Sequence, residues 1–158
     1  MTTNLIFPAP FNNKTGTVEE MNGYIFSEIA NQTACAAFGN YIDTNQFPRN
    51  QLAEEIRAIV KKKRPEWIIA ANESATACLG LHRQRKILIN PELETCHLNN
   101  VPEFARVHTW MFFSLPFEQS YECANTVYSN LAFIGGIPNL HLAGLKEQIS
   151  VIITAETQ

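Results

Sequence analysis

Short apolar runs alternate with amphipathic or polar segments along the whole chain. Leu5-Ile6-Phe7 is the first run, closed by Pro8-Ala9-Pro10. Thr33 to Phe38, Trp67 to Ala71, Lys86 to Ile89, Val107 to Phe113 and Leu131 to Ile134 follow. None has a helical gap, which is the pattern of strands buried on both faces. Between them lie segments with helical spacing. Thr17 opens one, with Glu20 completing a capping box and Val18, Met21, Ile25 and Ile29 on one face. Leu52, Ile56, Ile59 and Val60 form a clear stripe in the next, which begins near Pro48 and Asn50 and stops at Pro65. Glu118 to Tyr128 is a third. His141 opens a fourth, with Leu142, Leu145, Ile149 and Ile152 inward. Regular alternation of strand and helix predicts an α/β protein: a three-layer α/β/α sandwich around a mostly parallel sheet of about five or six strands. The chain, residues 1–158, reads as a single domain without repeats or linkers. In such folds the chemistry sits beyond the carboxyl ends of the strands.

The stretch from Trp67 to Pro91 concentrates the candidate chemistry. The apolar run Trp67–Ala71 is followed at once by Asn72-Glu73-Ser74, then by small and apolar residues to Leu81, then by a second run ending in Asn90-Pro91. Strand, sharp turn, helix, strand is the setting of a nucleophile elbow. The polar tripeptide is expected to form the turn, with Ser74 lifted from the sheet and a helix behind it. A serine there can equally serve as a helix cap. An elbow needs small residues two positions either side of its nucleophile. Around Ser74 those positions hold Asn72 and Thr76.

Composition narrows the function. With 46% apolar and 17% charged residues the chain is globular. A net charge of −3 argues against a nucleic-acid footprint. The basic run Lys61-Lys62-Lys63-Arg64 falls at a helix end, where cations complement the dipole. No secretory signal and no run of membrane length is visible. Cys35, Cys78, Cys96 and Cys123 lack C-x-x-C spacing and read as free thiols of a cytoplasmic protein.

Ser74, Glu118 and His141 arrive in the chain order serine, acid, histidine, each after a strand. A hydroxyl attacks only when an imidazole takes its proton and a carboxylate fixes the imidazole. Around these residues the chain resembles the small YqiA-type α/β-hydrolases, single-domain esterase-like proteins without a lid. The similar segments are Ile68 to Leu79, Lys86-Ile87-Leu88-Ile89-Asn90-Pro91, Phe117-Glu118 before a helix reaching Tyr128, and Gly135-Gly136 ahead of His141. The resemblance implies a small lidless α/β-hydrolase-like fold. It also implies a serine hydrolase acting on a modest acyl ester or thioester, with no cofactor, no metal, and no nucleic-acid or membrane partner. Ser74 would attack, His141 would carry the proton, and Glu118 would orient His141. The amides of Ala75 and Phe11 would hold the oxyanion.

Four departures point to a second expectation. Asn72 and Thr76 stand where the elbow glycines would be. Pro10 in the oxyanion loop has no N–H to donate. Phe117 occupies the place of the family's usual acid, leaving Glu118 beside it. These features suit a catalytically inactive α/β-hydrolase-fold protein that serves as a binding or interaction module. A nucleotide-binding flavodoxin-like domain is the poorest fit, because Pro8-Ala9-Pro10 cannot cradle phosphate. The remaining polar residues have plain structural roles. His82 is expected on the surface, His97 in a polar loop beside Cys96 without further metal ligands, and His108 inside a buried strand. Trp67 and Trp110 are expected in the core.

Overall fold

The computed structural model describes residues 4–7, 40–42, 44–113, 117–133 and 151–155. Their frame is a six-stranded sheet made of β1 (Leu5–Phe7), β2 (Asn40–Tyr41), β3 (Trp67–Ala71), β4 (Arg85–Ile89), β5 (Thr109–Phe113) and β6 (Asn130–Phe133). The order is β2-β1-β3-β4-β5-β6, and every neighbouring pair is parallel. The helices are α1 (Leu52–Lys63), α2 (Asn72–Ala77), α3 (Glu103–His108) and α4 (Glu118–Asn125). Residues 151–155 are helical as well.

Sheet order follows from which runs are apolar throughout. β3 is buried at all five positions, and β1 at all three. Such strands need neighbours on both edges and cover on both faces. Two-residue alternation splits the core accordingly. One face carries Leu5, Phe7, Ile68, Ala70, Leu88, Met111 and Phe113, packed against Leu52, Ile56 and Val60 of α1, Ala75, Cys78 and Leu79, and Ala124 and Tyr128. The other carries Ile6, Trp67, Ile69, Ala71, Ile87, Ile89 and Phe112, with Ile152 against it. The three-layer α/β arrangement expected from the sequence is therefore present. From β3 to β6 each crossover steps in the same direction, which puts α2 and α4 on one face with α1.

α1 is the stripe read from the sequence, with Leu52, Ile56 and Val60 inward and Lys61 to Arg64 exposed. It ends on Arg64 in the left-handed region (φ 47°), whose N–H donates to the Val60 carbonyl at 2.8 Å. Asn90 (φ 52°) repeats this before Pro91. Proline disfavours the right-handed helical region for its predecessor, so α1 stops before Pro65, and the left-handed turn at Asn90 ends β4.

Several sequence expectations are corrected. The segment 103–108 is helical, and β5 starts only at Thr109. His108 is thus the half-buried last residue of α3, its ring 4.4 Å from that of Phe104, and not a strand residue. Asn40–Tyr41, just past the apolar run Thr33–Phe38, forms β2. His82 is half-buried, not surface-exposed, and both burial and the nearby Lys86 charge push its pKa down. Trp67 is fully buried as expected, whereas Trp110 is only half-buried. The helix expected from Thr17, the strand Thr33–Phe38, Cys35 and the start of the helix at His141 lie outside the described residues.

Lys86 is the one lysine of the described core, 1% exposed in β4. Its Nζ donates to the Leu81 carbonyl at 2.6 Å and to that of Gln84 at 3.3 Å, closing the turn before β4. Burial pushes its pKa down to about 8, and pushes the neighbouring Cys78 thiol up to about 12. Between about pH 8 and its ordinary 10.5, Lys86 binds fewer protons in the folded than in the unfolded chain, so stability rises with pH there. Cys78 works the other way above its ordinary 9.0, because only the unfolded chain then loses the thiol proton. Tyr128, raised by burial, acts with Cys78 at still higher pH. Urea unfolding across this range is expected to show free energy climbing between about pH 8 and 9 and flattening above. The climb should vanish in Lys86→Met. In Cys78→Ala it should continue beyond pH 9.

Candidate functional site at the carboxyl edge of the sheet

The strand order reverses direction between β1 and β3, since the chain leaves β1 toward β2 on one side and returns to β3 on the other. A crevice beyond the carboxyl ends at such a switch point is where open α/β sheets bind ligands. Phe7 pairs with Ala70, so the chain leaving β1 does so beside the strand that leads to Ser74.

The strand-to-helix junction there is abrupt. Ala71 is still extended (φ −133°, ψ 148°), and Asn72 is already the first residue of α2. Asn72-Glu73-Ser74 is therefore the first helical turn, a correction to the expected turn followed by a helix. Polar residues tolerate that position because the first N–H groups of a helix lack internal partners. Glu73 is exposed, where an acid suits the helix dipole. Ser74, two residues past the junction, has no exposed surface, and its carbonyl accepts from the Cys78 N–H at 3.1 Å. Ala75, the expected oxyanion donor, is likewise buried within the helix. Among the described residues the non-glycine residues with positive φ are Arg64, Asn90 and Asn100, so neither Ser74 nor Asn72 carries the strain of an elbow apex.

With the junction at Asn72, the residues two positions either side are Ala70 and Ser74, both small. The spacing small-x-Asn-x-small was present in the chain, but the serine drew attention to a frame shifted by two.

Glu118, the expected triad acid, is exposed at the first position of α4, with Phe117 as the N-cap. His141 and Phe11 lie outside the described residues. Among the described residues no group of three or more His, Cys, Asp or Glu is placed to hold a metal. His97 has a local role: its Nδ1 accepts the Glu94 N–H at 2.9 Å, half of a reciprocal cap on the 3₁₀ turn Thr95–Leu98.

Hydroxyl groups tie the three carboxyl-edge segments together. The Glu92 N–H donates to Thr76 Oγ1 at 2.8 Å, and the buried Leu93 N–H donates to Ser120 Oγ at 3.2 Å. The Asn90 N–H extends the sheet by donating to the Phe112 carbonyl at 2.8 Å. The loop after β4 is thus pinned to α2 on one side and to α4 on the other. Thr76, a misfit as an elbow glycine, is a loop anchor.

No protein-family model matches the chain, and no curated protein matches it in sequence.

Removing either hydroxyl leaves a backbone N–H without its partner. Ser120→Ala, which orphans a buried donor, is expected to cost about 1–3 kcal/mol in urea unfolding. Thr76→Val, at an exposed bond, should cost less, about 0.5–1 kcal/mol.

Proposed function

We propose that the chain is a binding protein on an α/β-hydrolase-like fold that does not perform serine hydrolysis. The observation that carries this is the position of the strand–helix junction at Ala71 and Asn72. The residue at that junction is an asparagine, and a carboxamide does not attack acyl carbons. Ser74 lies inside the helix without exposed surface. Pro10 and Phe117 support the same conclusion: one removes an N–H from the oxyanion loop, and the other replaces the acid that the similar YqiA-type hydrolases carry. The ligand would sit over the carboxyl ends of β1 and β3. The free thiols of Cys78, Cys96 and Cys123 suit a reducing, cytoplasmic setting. Among the described residues no helix is long and apolar enough to cross a membrane.

One observation favours an active serine esterase or thioesterase with Ser74, Glu118 and His141. Ser74 follows β3 and Glu118 follows β5, in triad order at one edge of the sheet. That enzyme would require Ser74 to leave the helix interior before it could attack.

Labelling with a fluorophosphonate probe separates the two. The native protein and Ser74→Ala are both expected to remain unlabelled. Labelling of the native chain that disappears in Ser74→Ala would overturn the binding function and establish an activated serine.

A further inference from the structure

The opposite, amino-terminal edge of the sheet holds polar groups that neither function uses. Trp67 opens β3 and is directly paired with Arg85, the first residue of β4. Trp110 in β5 is paired with Ile87, two residues along from Arg85. Trp67 and Ile87 belong to the second face of the sheet, and Trp110 packs against it. Alternation places Arg85, two residues before Ile87, on that face too. The three side chains therefore stand on one patch, about two strand spacings or roughly 10 Å across.

Each of them has a buried donor without a hydrogen-bond partner: Trp67 Nε1, Trp110 Nε1 and Arg85 Nε. Trp67 is fully buried. An orphaned buried N–H costs about 1–3 kcal/mol, so three together on one patch call for an acceptor. All three atoms are donors, and one belongs to a permanent cation. The surrounding edge is basic: Lys61, Lys62, Lys63 and Arg64 are exposed where α1 runs into β3, and Arg83 is exposed in the turn before β4. Glu66 Oε2 and Thr109 Oγ1 are also buried without a partner, but alternation puts both on the other face; Asn4 Oδ1, beside Trp67 on the same face, is a neutral acceptor that makes no hydrogen bond to these donors.

We propose that Trp67, Trp110 and Arg85 form a binding site for a small oxyanion, a phosphate, sulfate or carboxylate group, at the amino edge of the sheet. Two indole N–H groups and a guanidinium N–H supply neutral and charged donors to one anionic acceptor. The basic rim raises the local anion concentration. The site is separate from the carboxyl edge and does not depend on the function proposed there.

Trp67 and Trp110 are the chain's two tryptophans, so intrinsic fluorescence reports on the site directly. Titration with inorganic phosphate at constant ionic strength is expected to give a saturable change in emission. Arg85→Met should weaken binding by about tenfold or more, the value of one charge-assisted hydrogen bond. Trp110→Phe, which keeps the ring and removes one donor, should weaken it severalfold while Trp67 still reports, and serves if Arg85→Met fails to fold. Glycerol phosphate binding as well as phosphate would identify the ester-linked group as a ligand; phosphate binding alone would identify the free ion. No saturable change with phosphate, sulfate or acetate, a change equal to that caused by chloride, or binding undiminished in a folded variant would overturn the site.

Discussion

Burial of β3 on both faces is the constraint on which the rest of the molecule depends. Trp67, Ile68, Ile69, Ala70 and Ala71 have no exposed surface, so the strand must lie mid-sheet with a layer on each side. Parallel neighbours then follow, because the segments joining these strands are long enough to carry crossovers. The size gradient along β3 matters as much. It begins with the largest side chain and ends with two alanines, so bulk fills the amino end while the carboxyl end leaves room for α2 to turn back at once against the strand. The same gradient separates two kinds of chemistry. A close helix approach with hydroxyl clamps marks one edge, and indole and guanidinium donors mark the other.

The charges follow that polarity. The helices run antiparallel to the strands, so their starts lie at the carboxyl edge and their ends at the amino edge. Glu54, Glu73, Glu103 and Glu118 lie in first turns, and Lys61 to Lys63 and Arg106 in last turns. Each placement complements its own helix dipole by a few tenths to about 1 kcal/mol. Their sum gives the sheet an acidic and a basic end, although the net charge is only −3. An acidic rim at the carboxyl edge disfavours phosphate-bearing ligands there, in keeping with the sequence Pro8-Ala9-Pro10 that follows β1.

The sheet was legible in the sequence because fully buried parallel strands are continuous apolar runs. β1, β3, β4 and β6 lie within a residue of the runs that foretold them, and Ile56 and Val60 placed α1. Where the reading failed, two elements meet without punctuation. α3 runs into β5 with no glycine or proline between them, so Val107 and His108 blended into the strand, although Glu103 after Pro102 marked a helix start. α2 begins directly after Ala71, so its polar first turn looked like a loop. The orphaned donors were not legible at all. Nothing in the one-dimensional order relates Trp67 to Arg85 and Trp110; only the register of three strands brings them onto one face.

The carboxyl-edge site was half legible, and the missing half is a matter of phase. An elbow centred on Ser74 would demand a bare backbone at position 76. The protein instead places there a hydroxyl that accepts the Glu92 N–H. Centred on Asn72, the same stretch loses its contradictions. Ala70 and Ser74 are the small residues that close helix–strand packing needs. Thr76 falls a turn further into the helix, where a side chain fits and is used. Ser74 is then buried because smallness is its function. Small neighbours and an abrupt change of backbone direction are both present at Asn72, without the positive φ of an elbow apex. The segments at this edge are held by the Thr76 and Ser120 hydroxyls and the Asn90 N–H, whatever chemistry the edge performs.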